Sequence, residues 1–137
     1  MKDIFGASVT DRLYNYAITL RFTPEAAAAI AATIALEGSP ELIPYLGERQ
    51  QKYLDWAYSK DMDHRMPDTK TRYIFVEMYS NPDFNWGKLK KASTTTDAVR
   101  IFNEDYLNKT LSVVDLYTIT TLANEINKLY VSNDYTT

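Results

Sequence analysis

The stretch Phe22 to Ser39, FTPEAAAAIAATIALEGS, constrains the fold more than any other part of the chain. Alanine fills positions 26–29, 31, 32 and 35, which gives high helix propensity and lets another element approach closely. Thr23 can cap the start by accepting a free backbone N–H of the first turn. Pro24 stands where a missing N–H costs nothing and a fixed φ suits a helix. Glu25 places negative charge where the helix dipole favours it. The segment stops at Glu37, followed at once by Gly38, which can take the left-handed conformation that ends helices. The expectation is a buried helix carrying one acid at its end. An acid half in and half out of an apolar wall is disfavoured in its charged form, which suits a proton donor.

The other apolar segments also follow the helical period. A first helix is expected from Val9 to Leu20, with Leu13, Tyr14, Ala17 and Ile18 on one face. GSPELIPYLG, with two prolines, reads as a loop. A third helix is expected from Glu48 to Lys60, and a fourth, DTKTRYIFVEMYS, capped by Asp68 and stopped by Asn81-Pro82. Tyr73, Ile74, Phe75, Val76 and Met78 would supply its core face. A short helix from Phe84 to Lys91 precedes one that starts at Thr95 or Thr96 and turns Val99, Ile101, Phe102 and Tyr106 inward. Ser112 can cap the last helix, with Leu116, Ile119, Leu122, Ile126 and Leu129 in register. Residues 131–137 read as a frayed end. No Asn-Gly or Asp-Gly hairpin signal is present. At 137 residues the chain predicts one domain, residues 1–137, with one core. The fold class is all-α, a compact bundle of six to eight helices.

Composition removes several functions. A net charge of −3 argues against a broad nucleic-acid surface. Without cysteine there are no disulfides, thiolate metal sites or thiol nucleophiles. No apolar run approaches the roughly 20 residues of a membrane span. MKDIFGASVTDR lacks the apolar stretch of a signal peptide. Asp61-Met62-Asp63-His64 lacks the glycine and distal glutamate of a calcium loop, so a solvated turn is expected and no metal or cofactor. Lys88, Lys90 and Lys91 near Trp86 form a small basic cluster that reads as a solvated face or as a contact for an anionic polymer or partner protein.

Three blocks resemble the phage tail lysozyme domains of the lysozyme-like superfamily. YNYAITLRFTPEAAAAIAATIALEGS, residues 14–39, is similar to the family's opening helix pair, which ends at the catalytic glutamate. GERQQKYLDWAYSKDMD, residues 47–63, leads into DTKTRYIFVEM, residues 68–78, and both have family counterparts. KKASTTTDAVRIFNEDYLN, residues 90–108, is similar to a third motif. Residues 8–108 would thus form a family-like core, and 109–137 an additional C-terminal helix and tail. The resemblance implies a virion-associated protein, made in the host cytoplasm and carried in the phage tail. Its substrate would be the peptidoglycan glycan strand, cut by a muramidase or lytic transglycosylase with Glu37 as catalytic acid.

Flat aromatic faces stack on sugar rings, and Tyr45, Tyr53 and Trp56 are the candidate substrate-binding residues. The helical spacing of Tyr53 and Trp56 is more often that of a core face. For Glu77 the family match suggests a structural ion pair or cap. Only nine residues, Gly38 to Leu46, separate Glu37 from Gly47, where the family has a longer cleft-lining loop. This leaves open a second reading: an inactive structural component that uses the same fold, its many tyrosines and its extra helix to assemble with neighbouring virion proteins.

Overall fold

The computed structural model describes residues 7–37 and 47–136 of the chain. Seven α-helices and no strand occur among these residues. They are α1 (Ala7–Thr19), α2 (Pro24–Glu37), α3 (Glu48–Ser59), α4 (Pro67–Ser80), α5 (Trp86–Lys90), α6 (Thr95–Arg100) and α7 (Val113–Thr136); a π-helical segment, Ile101–Tyr106, continues α6.

The alanine-rich helix is the axis of the bundle. α2 packs against α1, α6 and α7, and every residue from Ala26 to Ala35 is at most 2% exposed. A helix apolar all round belongs inside a core, and small side chains let three neighbours close on one axis. Its start is clipped as well as capped. Thr23 Oγ1 accepts the Ala26 N–H at 3.2 Å and donates to the Ala92 carbonyl at 2.6 Å. The Thr23 N–H donates to the Lys90 carbonyl, so the entry to α2 is fixed to the end of α5. With 0% exposure at Ala31, Ala31→Leu has no space to fill. A loss of about 1–3 kcal/mol by overpacking is expected in urea unfolding; an unchanged midpoint would contradict a tightly packed α2.

α1 ends without glycine. Arg21 has φ 72°, its N–H donates to the Ile18 carbonyl, and the Phe22 N–H donates to that of Ala17. This is the paired Schellman closure. Asp61, φ 58°, closes α3 in the same way through Tyr58 and Ala57. Both turns put an L-residue where glycine is the usual choice.

Several expected details differ. Asp68 does not cap α4: Met66 holds the cap position and Pro67 begins the helix, because a fixed φ and missing N–H suit that place. Asp68 lies instead within reach of Arg12 and Arg72. α6 does start at Thr95, as expected; the residue before it, Thr94, is the cap, its hydroxyl accepting the Asp97 N–H, and Thr95 is buried and donates to Asn124 Oδ1. Ile18 and Leu129 point outward, 38% and 46% exposed. Ile126 of α7 takes the core face as expected, at 1%, and Ala123, outside the expected set, joins it at 0%. α7 runs past Tyr130 to Thr136. Tyr130 anchors it, stacking on Tyr14 and donating its hydroxyl to Asp11. The expected loop at 38–46 lies outside the described residues.

The core also holds a polar seam. Thr33 Oγ1 donates to the Ala29 carbonyl four residues back at 2.8 Å. Asn103 Nδ2 donates to Thr33 Oγ1 at 3.0 Å and to the Val99 carbonyl at 2.9 Å. Asn103 is 1% exposed. The seam ties the π segment to α2 at a fixed register, since buried polar groups demand partners.

Candidate functional site

Glu37 is the last residue of α2, so the chain leaves the buried axis at the candidate acid. Tyr45 lies outside the described residues. Tyr53 and Trp56, on α3, are brought together on Tyr73 of α4, with ring centroids 5.1 and 5.3 Å from it. Tyr53 is 4% exposed, its hydroxyl donates to the His64 carbonyl at 2.6 Å, and the Lys70 ammonium lies over its ring. Trp56 is half-buried. The helices that sheathe α2 are α1, α6 and α7, whereas Tyr53 and Trp56 join α3 to α4.

A cleft of about 430 Å³ opens beside the end of α2. Leu36 forms its lip, the π segment contributes Asn103, and the first turns of α7 contribute Asp115, Thr118 and Ile119. Leu36 is 45% exposed, although the ten residues before it are at most 2% exposed. Ser112 Oγ accepts the Asp115 N–H at 3.0 Å, which fixes where α7 begins along the cleft. Asn103 gives both Nδ2 hydrogens to the seam, and among the described residues its Oδ1 has no partner. Single turns of π-helix inside α-helices occur often at functional sites. Sequence periodicity did not identify this cleft. Its one available signal was a polar residue, Asn103, beside the inward-facing Phe102 and one turn before Tyr106.

Glu77 makes the ion pair that its position suggested. Its Oε2 accepts Arg49 Nε at 2.8 Å and its Oε1 accepts Nη2 at 2.6 Å. The Tyr106 hydroxyl donates to Oε1 at 2.6 Å. With both oxygens bound, the carboxylate ties α3 and α4 to the π segment. Nearby, burial pushes the Tyr73 hydroxyl above its ordinary value, and the Glu77 charge adds to the rise.

The remaining polar clusters are mixed in sign. Lys88, Lys91 and Arg100 line a groove of about 450 Å³ together with Asp97, Glu104 and Asp105. Among the described residues, no group of three or more His, Asp or Glu side chains could hold a metal ion. Nor is any described helix long and apolar enough to cross a membrane.

In the Asp61–His64 turn, Asp63 Oδ1 accepts both the Arg65 N–H and Nε. The Arg65 side chain, then its backbone N–H, holds the Asp63 carboxyl down at about 2. The depressed value stabilises the fold above the ordinary 3.8, and that contribution is lost as pH falls through about 2. A carboxyl-detected NMR titration should place the Asp63 midpoint near 2 and return it toward 3.8 in Arg65→Gln. An ordinary midpoint in the unsubstituted protein would contradict the pairing.

No family model, curated protein or solved structure matches this chain.

Proposed function

We propose that the chain is a lysozyme-like protein of a phage virion or tail that acts on the peptidoglycan glycan strand, or derives from an enzyme that does, with Glu37 as general acid. The observation that carries this reading is the placement of Glu37. It ends a helix that is otherwise buried, and that helix ends beside an open cleft. In the reaction, the Glu37 carboxyl gives its proton to the glycosidic oxygen as the bond to the anomeric carbon breaks. Water then captures that carbon, or the 6-hydroxyl of the same sugar closes an internal anhydro ring. The first outcome is a muramidase and the second a lytic transglycosylase. Asp115, on the same cleft as Leu36, is the candidate for the second carboxylate. Purified protein run on a gel cast with cell-wall material should leave a cleared band. Absence of clearing with walls of several hosts would remove the enzymatic reading.

A second reading, assembly with neighbouring virion subunits, is favoured by one surface. Val113, Val114 and Tyr117 on the first turns of α7 are 86%, 71% and 72% exposed. Large apolar side chains grouped on one face mark contact surfaces. Light scattering on the purified chain should then give a mass above 15.7 kDa that returns to 15.7 kDa in Val114→Lys/Tyr117→Lys. A monomer in both proteins would count against self-association through this face.

A further inference from the structure

We propose that the aromatic groove between α1, α4 and α5 docks a proline-rich segment of a partner protein, extended as a polyproline II helix and flanked by an acidic residue. The inference stands apart from the Glu37 reading, because this groove shares no lining residue with the cleft beside α2.

The groove encloses about 380 Å³. Tyr16 and Leu20 of α1, Phe75 and Tyr79 of α4 and Trp86 of α5 supply its apolar walls. Tyr79 is 71% exposed, and its ring stands nearly perpendicular to that of Trp86, 5.3 Å away. Large apolar groups gathered at the surface mark contact sites. The walls are held from beneath. Buried Phe22 meets Trp86 at 4.8 Å and Phe75 at 5.5 Å between centroids, both at 87°. Phe75 in turn meets Tyr16 at 5.2 Å. Edge-to-face contacts of this kind fix ring orientation, so an occupant has little side-chain ordering to offset.

Hydrogen-bonding chemistry selects the occupant. Among the described residues, no carboxylate lines the groove. Trp86 and Lys90, which do line it, can only donate. The Trp86 indole N–H has no partner among the described residues and is not buried. Lys90 is half-buried and makes no ion pair among those residues. The groove therefore suits a ligand that is apolar in body, rich in acceptors and poor in donors. Proline meets all three conditions: its ring is apolar, its carbonyl accepts, and it has no N–H in need of an acceptor. In a polyproline II helix the carbonyls make no internal hydrogen bonds, so they stay free for the Trp86 N–H. Aromatic-lined grooves receive such segments at low entropic cost. The volume suits one turn, about three residues. The unpaired Lys90 ammonium favours a carboxylate beside the prolines. A sugar would also stack on these rings, but it brings many hydroxyl donors to a wall without a carboxylate to take them.

Backbone and indole N–H NMR shifts of the full chain would be followed during titration with a capped peptide of six prolines between two aspartates. Saturable shifts are expected at Tyr79, Ser80 and the Trp86 indole. Tyr79→Ala, at an exposed position, and Trp86→Phe, which keeps a ring but removes the N–H, should each weaken binding at least about threefold. Circular dichroism checks that both variants fold; Tyr79→Ala decides alone should Trp86→Phe not fold. The same peptide with alanine for proline should bind at least about threefold more weakly, as should the peptide with lysine for aspartate. Equal binding of the alanine peptide, binding indifferent to both substitutions, shifts confined to other faces, or no saturable shift would each overturn the inference. So would tighter binding of a trimer of N-acetylglucosamine at the same residues, which would make the groove a glycan platform. Equal binding of the lysine-flanked peptide would overturn the acidic flank.

Discussion

Glu37→Gln is expected, if the chain cleaves glycan strands as proposed, to slow that cleavage at least about 100-fold, the low end of what a positioned general acid contributes. Glutamine keeps the shape of the side chain and removes the proton, so loss of rate without loss of fold isolates proton donation. Melting of the variant should match that of the parent protein, because the change is nearly isosteric. Dye release from labelled cell walls measures the rate, and circular dichroism the fold. Retained cleavage would move the acid elsewhere, and Asp115 would be the first residue to substitute next. A variant that lost rate and melted early would say only that the end of α2 had been disturbed.

The largest expected effect on stability is at Phe102. Its ring is 0% exposed and stacks on Tyr106 at 5.3 Å between centroids. It lies in the π segment, next to the residue that holds Thr33 of α2. Phe102→Ala removes a large buried surface and leaves a cavity that close-packed neighbours only partly collapse, a loss of about 3–5 kcal/mol. Against a usual total of about 5–15 kcal/mol, this should lower the melting temperature by on the order of 10 °C. Phe102→Leu should recover much of the loss. A calorimetric midpoint for Phe102→Ala within a degree or two of the parent would mean that the π segment is not part of the cooperative core.

The central helix was legible because its residues agree at every level: cap, proline, alanine run and apolar content all predict one buried helix. The all-α class followed from the same kind of agreement along the chain. Side-chain direction was less legible where a helix has more apolar residues than one face needs. Leu129 fits the period of α7 but points outward, and Ala123, too small to stand out in a pattern, carries the contact. Asp68 lost the cap position to its neighbours because Pro67 fixes where α4 begins. The π segment left no trace in the periodicity, since an i→i+5 turn changes one hydrogen-bond step within a segment that remains helical. The cleft was illegible for another reason. Leu36, Asn103 and Ile119 lie far apart in sequence, and only packing brings them together. Glu37 was legible as a helix end, and the cleft beside that end emerged only from the packing of α2, the π segment and α7.

The central placement of α2 also sets an order of events during synthesis. Its sheath is assembled from both sides of it in sequence: α1 precedes it directly, and α7 is the last of the described helices. Until that last helix leaves the ribosome, an almost wholly apolar segment from the first third of the chain has no complete cover. Contacts that close over such a separation form slowly, because the intervening loop must be ordered first. An uncovered apolar helix in the interim is a surface for self-association. The architecture that buries α2 on every side therefore leaves its apolar surface waiting for a cover that is made late in synthesis.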